Sequence, residues 1–154
     1  MIKLKSLFWN LFIPLAGGAI VGFLTKNSMN VYNNVARPVL APPPIVFPIV
    51  WSILYVLMGI SSYLIYESKS IYKEKSLYVY YIQLILNFTW PFVFFSGKMF
   101  LVAFFILLLL WGMVIWMTGL FYKVKPVAAY LQIPYLIWLG FAAYLNLSIG
   151  FLNM

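Results

Sequence analysis

The sequence predicts an all-α, polytopic membrane protein built as a bundle of five transmembrane helices. Hydrophobic residues make up 66% and charged residues only 8% of the 154 residues, whereas soluble proteins are about 45–50% apolar and about 25% charged. The charged side chains are clustered, and they leave five charge-free stretches at 6–25, 45–66, 76–97, 99–122 and 126–154. Each stretch is long enough for the roughly 20 apolar residues that cross a bilayer core, so no soluble domain remains.

The distribution of the cations predicts an orientation. With five spans, the N-terminus and the connections at 68–75 and 123–125 lie on one side, and they carry seven of the ten cations. The other side carries Lys26, Arg37 and Lys98. The positive-inside bias therefore puts the N-terminus in the cytoplasm of what we expect to be a bacterial cell. The net charge of +8 then indicates membrane topology rather than nucleic-acid binding.

The residue types that are absent limit the chemistry. The chain has no Cys and no His, which excludes disulfides, zinc sites, haem ligation by His or Cys, and catalytic triads. Both acids, Glu67 and Glu74, lie in a connection, so no span carries the carboxylate of a proton relay. We therefore expect no metal site, no required cofactor, and neither a hydrolase nor an ion-coupled pump. Redox chemistry through Trp or Tyr side chains stays open.

We predict a single membrane domain over residues 1–154, with spans at about 7–25, 46–66, 77–97, 99–122 and 127–149. A cleavable signal peptide is the alternative for the first span, because a basic start precedes an apolar run. Asn10 and Pro14 interrupt that run, which favours a retained helix. Gly18 and Gly22 are spaced as GxxxG, a pattern that allows close helix contact either in a dimer or within one bundle.

Residues 26–45 form the longest polar connection, and we expect them to act as a lid loop. The stretch is rich in Asn and ends in the run Pro42-Pro43-Pro44. Because proline fixes φ and disfavours helix in the residue before it, this part should be extended and stiff. Loops longer than about 12–15 residues often serve as lids or binding loops. A plain spacer between helices is the alternative.

Prolines and asparagines interrupt the later spans. Pro48, Pro91 and Pro134 fall inside or near the ends of the second, third and fifth spans, where we expect kinked helices with space between them. The fourth span has an uninterrupted apolar centre and is predicted to be a scaffold. Two glycosylation-like sequons, at Asn87 and Asn146, lie within spans, so access excludes glycosylation and both asparagines need another explanation.

One face of the third span is polar and aromatic. Gln83, Asn87, Trp90 and Phe94 recur at helical spacing. A carboxamide in hydrocarbon is costly unless it is hydrogen-bonded, so this face should point into the bundle. Interhelical hydrogen bonding and ligand contact are both open for Gln83, whereas Asn87 is expected in a pocket because Trp90 lies one turn away.

The second and fifth spans carry aromatic faces as well. The second has Trp51, Tyr55, Met58 and Ser62 on one face, and the fifth has Tyr135, Trp138, Ala142, Leu145 and Asn146. Packing is the more common role of such a stripe. However, Trp51, Trp90 and Trp138 lie several residues inside their spans, away from the interfacial belt. With Asn87 among them, they predict a cavity for a large, flat, mainly apolar ligand.

Three ordered motifs carry a family resemblance. The loop and second span read Arg-Pro-Val-Leu-Ala-Pro-Pro at 37–43 and Trp-Ser-Ile-Leu-Tyr-Val-Leu-Met-Gly at 51–59. The third span has Leu-Asn-Phe-Thr-Trp at 86–90, and the fifth has Ile-Pro-Tyr-Leu-Ile-Trp at 133–138 and Phe-Ala-Ala-Tyr-Leu-Asn at 141–146. This set resembles the TspO/translocator protein family, the tryptophan-rich sensory proteins related to the peripheral benzodiazepine receptor.

The resemblance implies a five-helix bundle, commonly a homodimer, with a pocket under the first loop for porphyrins and benzodiazepine-type ligands. Together with the faces described above, it makes these the candidate ligand-binding residues: Tyr32, Pro42, Pro43, Trp51, Tyr55, Asn87, Trp90, Trp138 and Ala142. Some bacterial relatives are associated with light- and oxygen-dependent breakdown of protoporphyrin. Trp51 and Trp138 would take part in such a reaction here.

The chain departs from the family pattern at two points. Arg37-Pro38-Val39-Leu40 stands where the family usually has Lys-Pro-x-Trp, so an aromatic contact in the lid is lost. No charged residue follows Tyr144, so the sterol motif of animal members is incomplete.

Three functions follow as alternatives. The first is a membrane receptor or carrier for a protoporphyrin-type ligand, whose propionates would need Lys26 and Arg37. The second is a light-dependent porphyrin-degrading enzyme. The third is a lipid- or sterol-handling or structural protein whose aromatic side chains only pack. The expected partners are a hydrophobic small molecule, membrane lipid and a second copy of the chain, with no nucleic acid.

Overall fold

The computed structural model describes residues 1–154, and all of its regular secondary structure is helical. The elements are α1 (Leu4–Thr25), α2 (Asn30–Asn34), α3 (Val46–Tyr66), α4 (Lys73–Pro91) followed by a π-helical turn (Phe92–Ser96), α5 (Phe100–Val124), α6 (Pro126–Tyr130) and α7 (Ile133–Leu152). Five units are long and apolar enough to cross a membrane: α1, α3, α4 with its π turn, α5, and α6 together with α7. The predicted bundle of five transmembrane helices is confirmed.

Only one of the three prolines interrupts its helix in the way the sequence predicted. Pro48 and Pro134 lie in the first turns of α3 and α7, where the missing N–H breaks no helical hydrogen bond, so the predicted kinks there are wrong. Pro91 ends the regular part of α4, and the π turn follows it. In that turn the Gly97 N–H donates to the Phe92 carbonyl at 2.8 Å, an arrangement typical of functional sites.

The predicted scaffold, α5, packs against both α4 and α7. Its inward face consists of buried apolar side chains: Ala103, Leu107, Leu110, Val114 and Met117. Its outward face exposes large apolar side chains, among them Phe105, Leu109 and Ile115. An apolar face of this size suits contact with lipid, as the composition of the chain requires.

Close contact between α1 and α3 depends on small residues within this one chain. A Cβ added at Gly59 would lie 2.8 Å from the Asn10 carbonyl oxygen, and one added at Gly18 would lie 2.3 Å from the Tyr55 ring. The Ser62 hydroxyl also donates to Asn10 Oδ1 at 2.8 Å. Of the two alternatives for the GxxxG pattern, packing within the bundle therefore accounts for Gly18.

The charged connections gather at one end of the bundle, as the topology requires. Lys3 Nζ and Glu67 Oε2 form the one ion pair of the chain at 2.7 Å, which joins the start of α1 to the end of α3. The backbone N–H of Lys3 also donates to the Tyr63 hydroxyl at 3.0 Å. At the same end, Lys123 lies over the Tyr72 ring. The N-terminus and the two lysine-rich connections thus share a face.

This ion pair makes a pH-dependent contribution to stability. The hydrogen bond from Lys3 lowers the pKa of the Glu67 carboxyl, and the same bond raises the pKa of Lys3. The contribution of Glu67 is therefore present above its usual pKa and is lost as the pH falls through the lowered value. We expect acid to lower the melting temperature of the wild type more than that of Glu67→Gln. The difference should shrink in high salt because the Lys3 side chain is exposed to solvent. Equal acid sensitivity of the two proteins would contradict this role.

The lid is packed against the opposite end of the bundle. It contains the short helix α2, which the sequence did not predict. The Tyr32 hydroxyl donates to the Pro42 carbonyl at 2.7 Å, and burial raises the pKa of Tyr32. Asn153 at the end of α7 accepts from the Ala36 N–H and donates to the Ala36 carbonyl, both at 2.9 Å. The lid is thereby fixed both internally and to α7.

Candidate functional site

A hydrogen-bonded chain joins α3, α4 and α7 at the centre of the bundle. The Tyr55 hydroxyl donates to Asn87 Oδ1 at 2.7 Å, and Asn87 Nδ2 donates to the Tyr135 hydroxyl at 2.7 Å. The Tyr135 hydroxyl in turn donates to Gln83 Oε1 at 2.8 Å. All four side chains are buried, so each bond forms where an unpaired polar group would be costly. The polar face predicted for the third span therefore does point into the bundle.

The second sequon asparagine holds Trp90 in position. The Trp90 Nε1–H donates to Asn146 Oδ1 at 2.9 Å, and Asn146 Nδ2 donates to the Phe100 carbonyl at 2.7 Å. This links α4, α7 and the start of α5. Trp90 also stacks on Phe94, with ring centroids 5.0 Å apart. The bonds of Asn87 and Asn146 explain why two asparagines occur within membrane spans.

A cavity of about 560 Å³ lies between α1, α3 and α4, and we call it the main cavity. Its α3 and α4 walls are formed largely by aromatic side chains: Phe47, Trp51, Tyr55, Trp90 and Phe95. The α1 wall includes three small residues, Gly18, Ala19 and Gly22, whose side chains take up little of the cavity. Asn87 is the carboxamide that reaches this space. An apolar cavity with few polar groups is typical of sites for small apolar ligands.

The rim of the main cavity carries a single cation. Lys26, just after α1, lines the cavity at the lid end, together with Met29. The Lys26 ammonium lies 4.1 Å from the centre of the Phe23 ring. Arg37, the other cation expected near a ligand, lines a separate cleft among the lid prolines, where it lies over the Tyr32 ring. Lys26 alone of the two is positioned for an anionic group of a ligand in the main cavity.

Trp138 forms a second layer behind the cavity wall. Its ring packs edge-on against Trp51, with centroids 6.5 Å apart, and against Phe47 at 5.9 Å. Trp51 itself stacks on Tyr55 at 5.6 Å. The indole Nε1 of Trp138 is buried and has no hydrogen-bond partner. Trp138 therefore supports the position of Trp51 from behind the cavity wall.

The nine candidate residues fall into two groups in the structure. Four of them line the main cavity: Trp51, Tyr55, Asn87 and Trp90. The other five lie outside its lining: Tyr32, Pro42, Pro43, Trp138 and Ala142. Pro42 and Pro43 line the separate lid cleft, and Ala142 is buried in α7. Gln83 also lies outside the lining, so its interhelical bond to Tyr135 is the role that its contacts support.

The sequence reasoning missed the wall that α1 contributes. Gly18, Gly22 and Thr25 line the cavity, but none of them has a side chain that suggests ligand binding. The Thr25 hydroxyl donates to the Val21 carbonyl of its own helix at 2.8 Å, so it presents mainly its methyl group. The GxxxG spacing was the one available signal. It indicates a close helix contact but does not reveal that Gly22 faces open space.

Comparisons with known proteins agree with the motifs. The sequence model described as the TspO/MBR family matches residues 10–152. The chain is 37% identical over 134 residues to the translocator protein of Homo sapiens, covering 84% of this chain and 79% of that protein. It is 33% identical over 145 residues to the translocator protein homolog of Schizosaccharomyces pombe, covering 92% and 88%. It is 32% identical over 133 residues to the tryptophan-rich protein TspO of Chlorobaculum tepidum, covering 85% and 84%.

Proposed function

This chain belongs to the TspO/MBR family of membrane proteins, and on that basis we propose that it is an intramembrane receptor or carrier for a porphyrin of the protoporphyrin type. The ligand occupies the main cavity under the lid. The observation that carries the proposal is the cavity itself, where Trp51 and Trp90 flank the one reachable carboxamide, Asn87. Benzodiazepine-type ligands, which are also flat and apolar, would compete for the same space.

The dimensions and lining of the cavity support a ligand of this kind. Sites for small molecules are usually about 300–1,000 Å³ and are mainly apolar, and the main cavity, at about 560 Å³, lies in this range. Aromatic rings on its walls offer offset or edge contacts to a flat conjugated ligand. Because the chain has no His or Cys to ligate iron, the free-base porphyrin should bind at least as well as haem.

The negative charge of the ligand would be paired with a cation at the rim of the main cavity. A propionate held at the lid end would approach Lys26, which stands at the edge of the cavity. The interior of the cavity has no charged side chain, and burying an unpaired carboxylate there would be costly. The porphyrin ring therefore lies inside with its acidic edge towards the lid.

Substitution of two tryptophans should test this arrangement. We expect Trp51→Ala to weaken protoporphyrin binding about tenfold, since it removes a stacking surface from the cavity wall. Trp138→Ala should weaken binding less, because Trp138 contacts Trp51 rather than the cavity. Affinity is measured by the shift of the Soret absorbance during titration in detergent.

Trp116→Ala is the matched control, because this tryptophan is 49% exposed on the outer face of α5. If the wild type and Trp51→Ala bind protoporphyrin with equal affinity, the main cavity is not the binding site. An absence of saturable porphyrin binding would instead favour a structural or lipid-handling protein. Saturable binding should also raise stability, by about 2.7 kcal/mol at 100 times the dissociation constant.

A light-dependent porphyrin-degrading enzyme is the second candidate, and one observation favours it. Trp51 makes ring contacts with Tyr55, which also lines the cavity, and with Trp138 behind it, so oxidisable side chains continue from the cavity wall into the bundle. Illumination in air tests this function through protein-dependent loss of the Soret band. If the Soret band is lost no faster with the wild type than with Trp138→Phe, the enzyme function is rejected and the receptor or carrier role remains.

Orientation and assembly belong to the same proposal. The face with Lys3 and the two lysine-rich connections is the cytoplasmic one by the positive-inside bias, in a bacterial cell membrane. The lid and the cavity rim then lie at the opposite surface. A homodimer in the lipid bilayer is the expected assembly.

A further inference from the structure

The cations at the lid end of the molecule have no acidic partners. Both acids of the chain lie at the other end, Glu67 just after α3 and Glu74 in the first turn of α4. Lys26 and Arg37 are each placed over an aromatic ring, but Lys98 has neither a carboxylate nor a ring beside it. Any counter-charge for Lys98 must therefore come from outside the chain.

Lys98 lies on the rim of a second cleft, between α2 and the junction of the π turn with α5. The cleft has a volume of about 490 Å³. Its polar lining consists of Asn27, Ser28, Asn30, Asn34, Ser96 and Lys98. The Ser96 hydroxyl donates to the Ser28 hydroxyl at 3.2 Å, which joins the two walls. Amide, hydroxyl and ammonium donors around one cleft match the oxygens of a phosphate group.

The backbone at this position is unusual in a way that points to a role for the side chain. Lys98 has φ of 51°, the one non-glycine residue of the chain with a positive φ. The preceding residue is Gly97, which does not take the left-handed conformation although it could do so without strain. A conformation of this kind costs energy, and the residues that adopt it cluster at functional sites. The residue that takes this conformation is also the one cation that lines the cleft.

The position of the cleft selects a lipid as the source of the phosphate. α4 with its π turn ends at Ser96, and α5 begins at Phe100, so the cleft lies where two spans leave the hydrocarbon. Apolar side chains are exposed at the start of α5, with Met99 just before the helix at 53% and Leu101 in its first turn at 40%. A headgroup in the cleft would therefore have acyl chains continuing along the outer surface of α5.

From these observations we infer that this cleft binds the phosphodiester headgroup of an anionic phospholipid. Lys98 supplies the charge, and the asparagines of the lid and the two serines supply neutral donors. The cleft shares one residue, Phe95, with the main cavity, so the bound headgroup lies against the wall that faces the ligand. This site is distinct from the main cavity and does not depend on what the main cavity binds.

The test compares Lys98→Asn with Lys125→Asn by native mass spectrometry of the detergent-solubilised protein. Asn tolerates the left-handed conformation, so the first variant should fold, and Lys125 is an exposed lysine at the opposite end of α5. We expect the wild type to retain phosphatidylglycerol more tightly than phosphatidylcholine. Lys98→Asn should weaken retention of phosphatidylglycerol by about fivefold, and Lys125→Asn should leave it unchanged. Asn34→Ala should also weaken it, because it removes a donor without changing the charge.

Two results would overturn the inference. Equal weakening in the Lys98 and Lys125 variants would mean that the lipid responds only to overall charge. Displacement of the lipid by millimolar inorganic phosphate would mean a site for free anions rather than for a headgroup. If Lys98→Asn melts below the wild type, Lys98→Gly provides the same test with a residue that relieves the backbone. Unchanged lipid retention in that variant would also reject the site.

Discussion

Replacing Asn87 with Leu is expected to lower both the stability of the bundle and its affinity for protoporphyrin. The Tyr55 hydroxyl would lose its only hydrogen-bond partner, and Tyr135 would lose one of its two. A buried polar group left without a partner costs about 1–3 kcal/mol. The same substitution removes the carboxamide from the main cavity. We therefore expect a lower melting temperature in detergent and weaker binding by Soret titration.

Thr89→Val on the same helix is the matched control. The Thr89 hydroxyl donates to the Ile85 carbonyl of its own helix at 2.8 Å, and the residue is exposed. Removing this hydroxyl breaks no contact between helices. If Asn87→Leu and Thr89→Val melted at the same temperature, the central hydrogen-bonded chain would not contribute to stability.

The second large effect is expected at Gly18. A Cβ at this position would lie 2.3 Å from Tyr55 Cε2, which is far closer than atoms can pack. In Gly18→Ala the Tyr55 ring must shift, and its hydroxyl bond to Asn87 must lengthen or break. Overpacking of this kind costs about 1–3 kcal/mol. Because Tyr55 also lines the main cavity, porphyrin affinity should fall together with the melting temperature.

Gly22→Ala, one turn further along α1, separates the two explanations of the GxxxG pattern. A Cβ at Gly22 meets nothing within 4 Å, so within a single bundle the alanine should be neutral or slightly stabilising through its helix propensity. If the pattern served a dimer contact instead, both substitutions should weaken dimerisation similarly. Sedimentation in detergent, with melting curves of both variants, distinguishes these outcomes.

The arrangement of buried faces was predictable from the sequence because each helix face is defined by local spacing. Gln83, Asn87 and Trp90 lie on one side of an α-helix wherever that helix is placed. Polar groups within hydrocarbon must then find partners, so that side had to face other helices. The partners themselves were not predictable, since nothing in the local sequence pairs Asn87 with Tyr55 and Tyr135 or Trp90 with Asn146.

The sequence pattern identified only some of the residues that line the main cavity. Aromatic residues were chosen because Trp and Tyr at membrane depth are conspicuous, and this found Trp51 and Trp90. The same criterion chose Trp138, which lies behind Trp51 instead of in the lining. It also passed over Gly18 and Gly22, because a glycine contributes to a cavity by the absence of a side chain.

The sequence by itself determined that this protein is a five-span membrane bundle, which ends carry its charges, and which family its motifs resemble. Hydrophobic length and charge position act along the chain, so their consequences can be deduced one segment at a time. Only the tertiary structure decided where the helices separate to leave the main cavity, that α1 forms one of its walls, and that Lys98 stands unpaired beside the lid asparagines. These features depend on distances between segments far apart in the chain, which local periodicity does not specify.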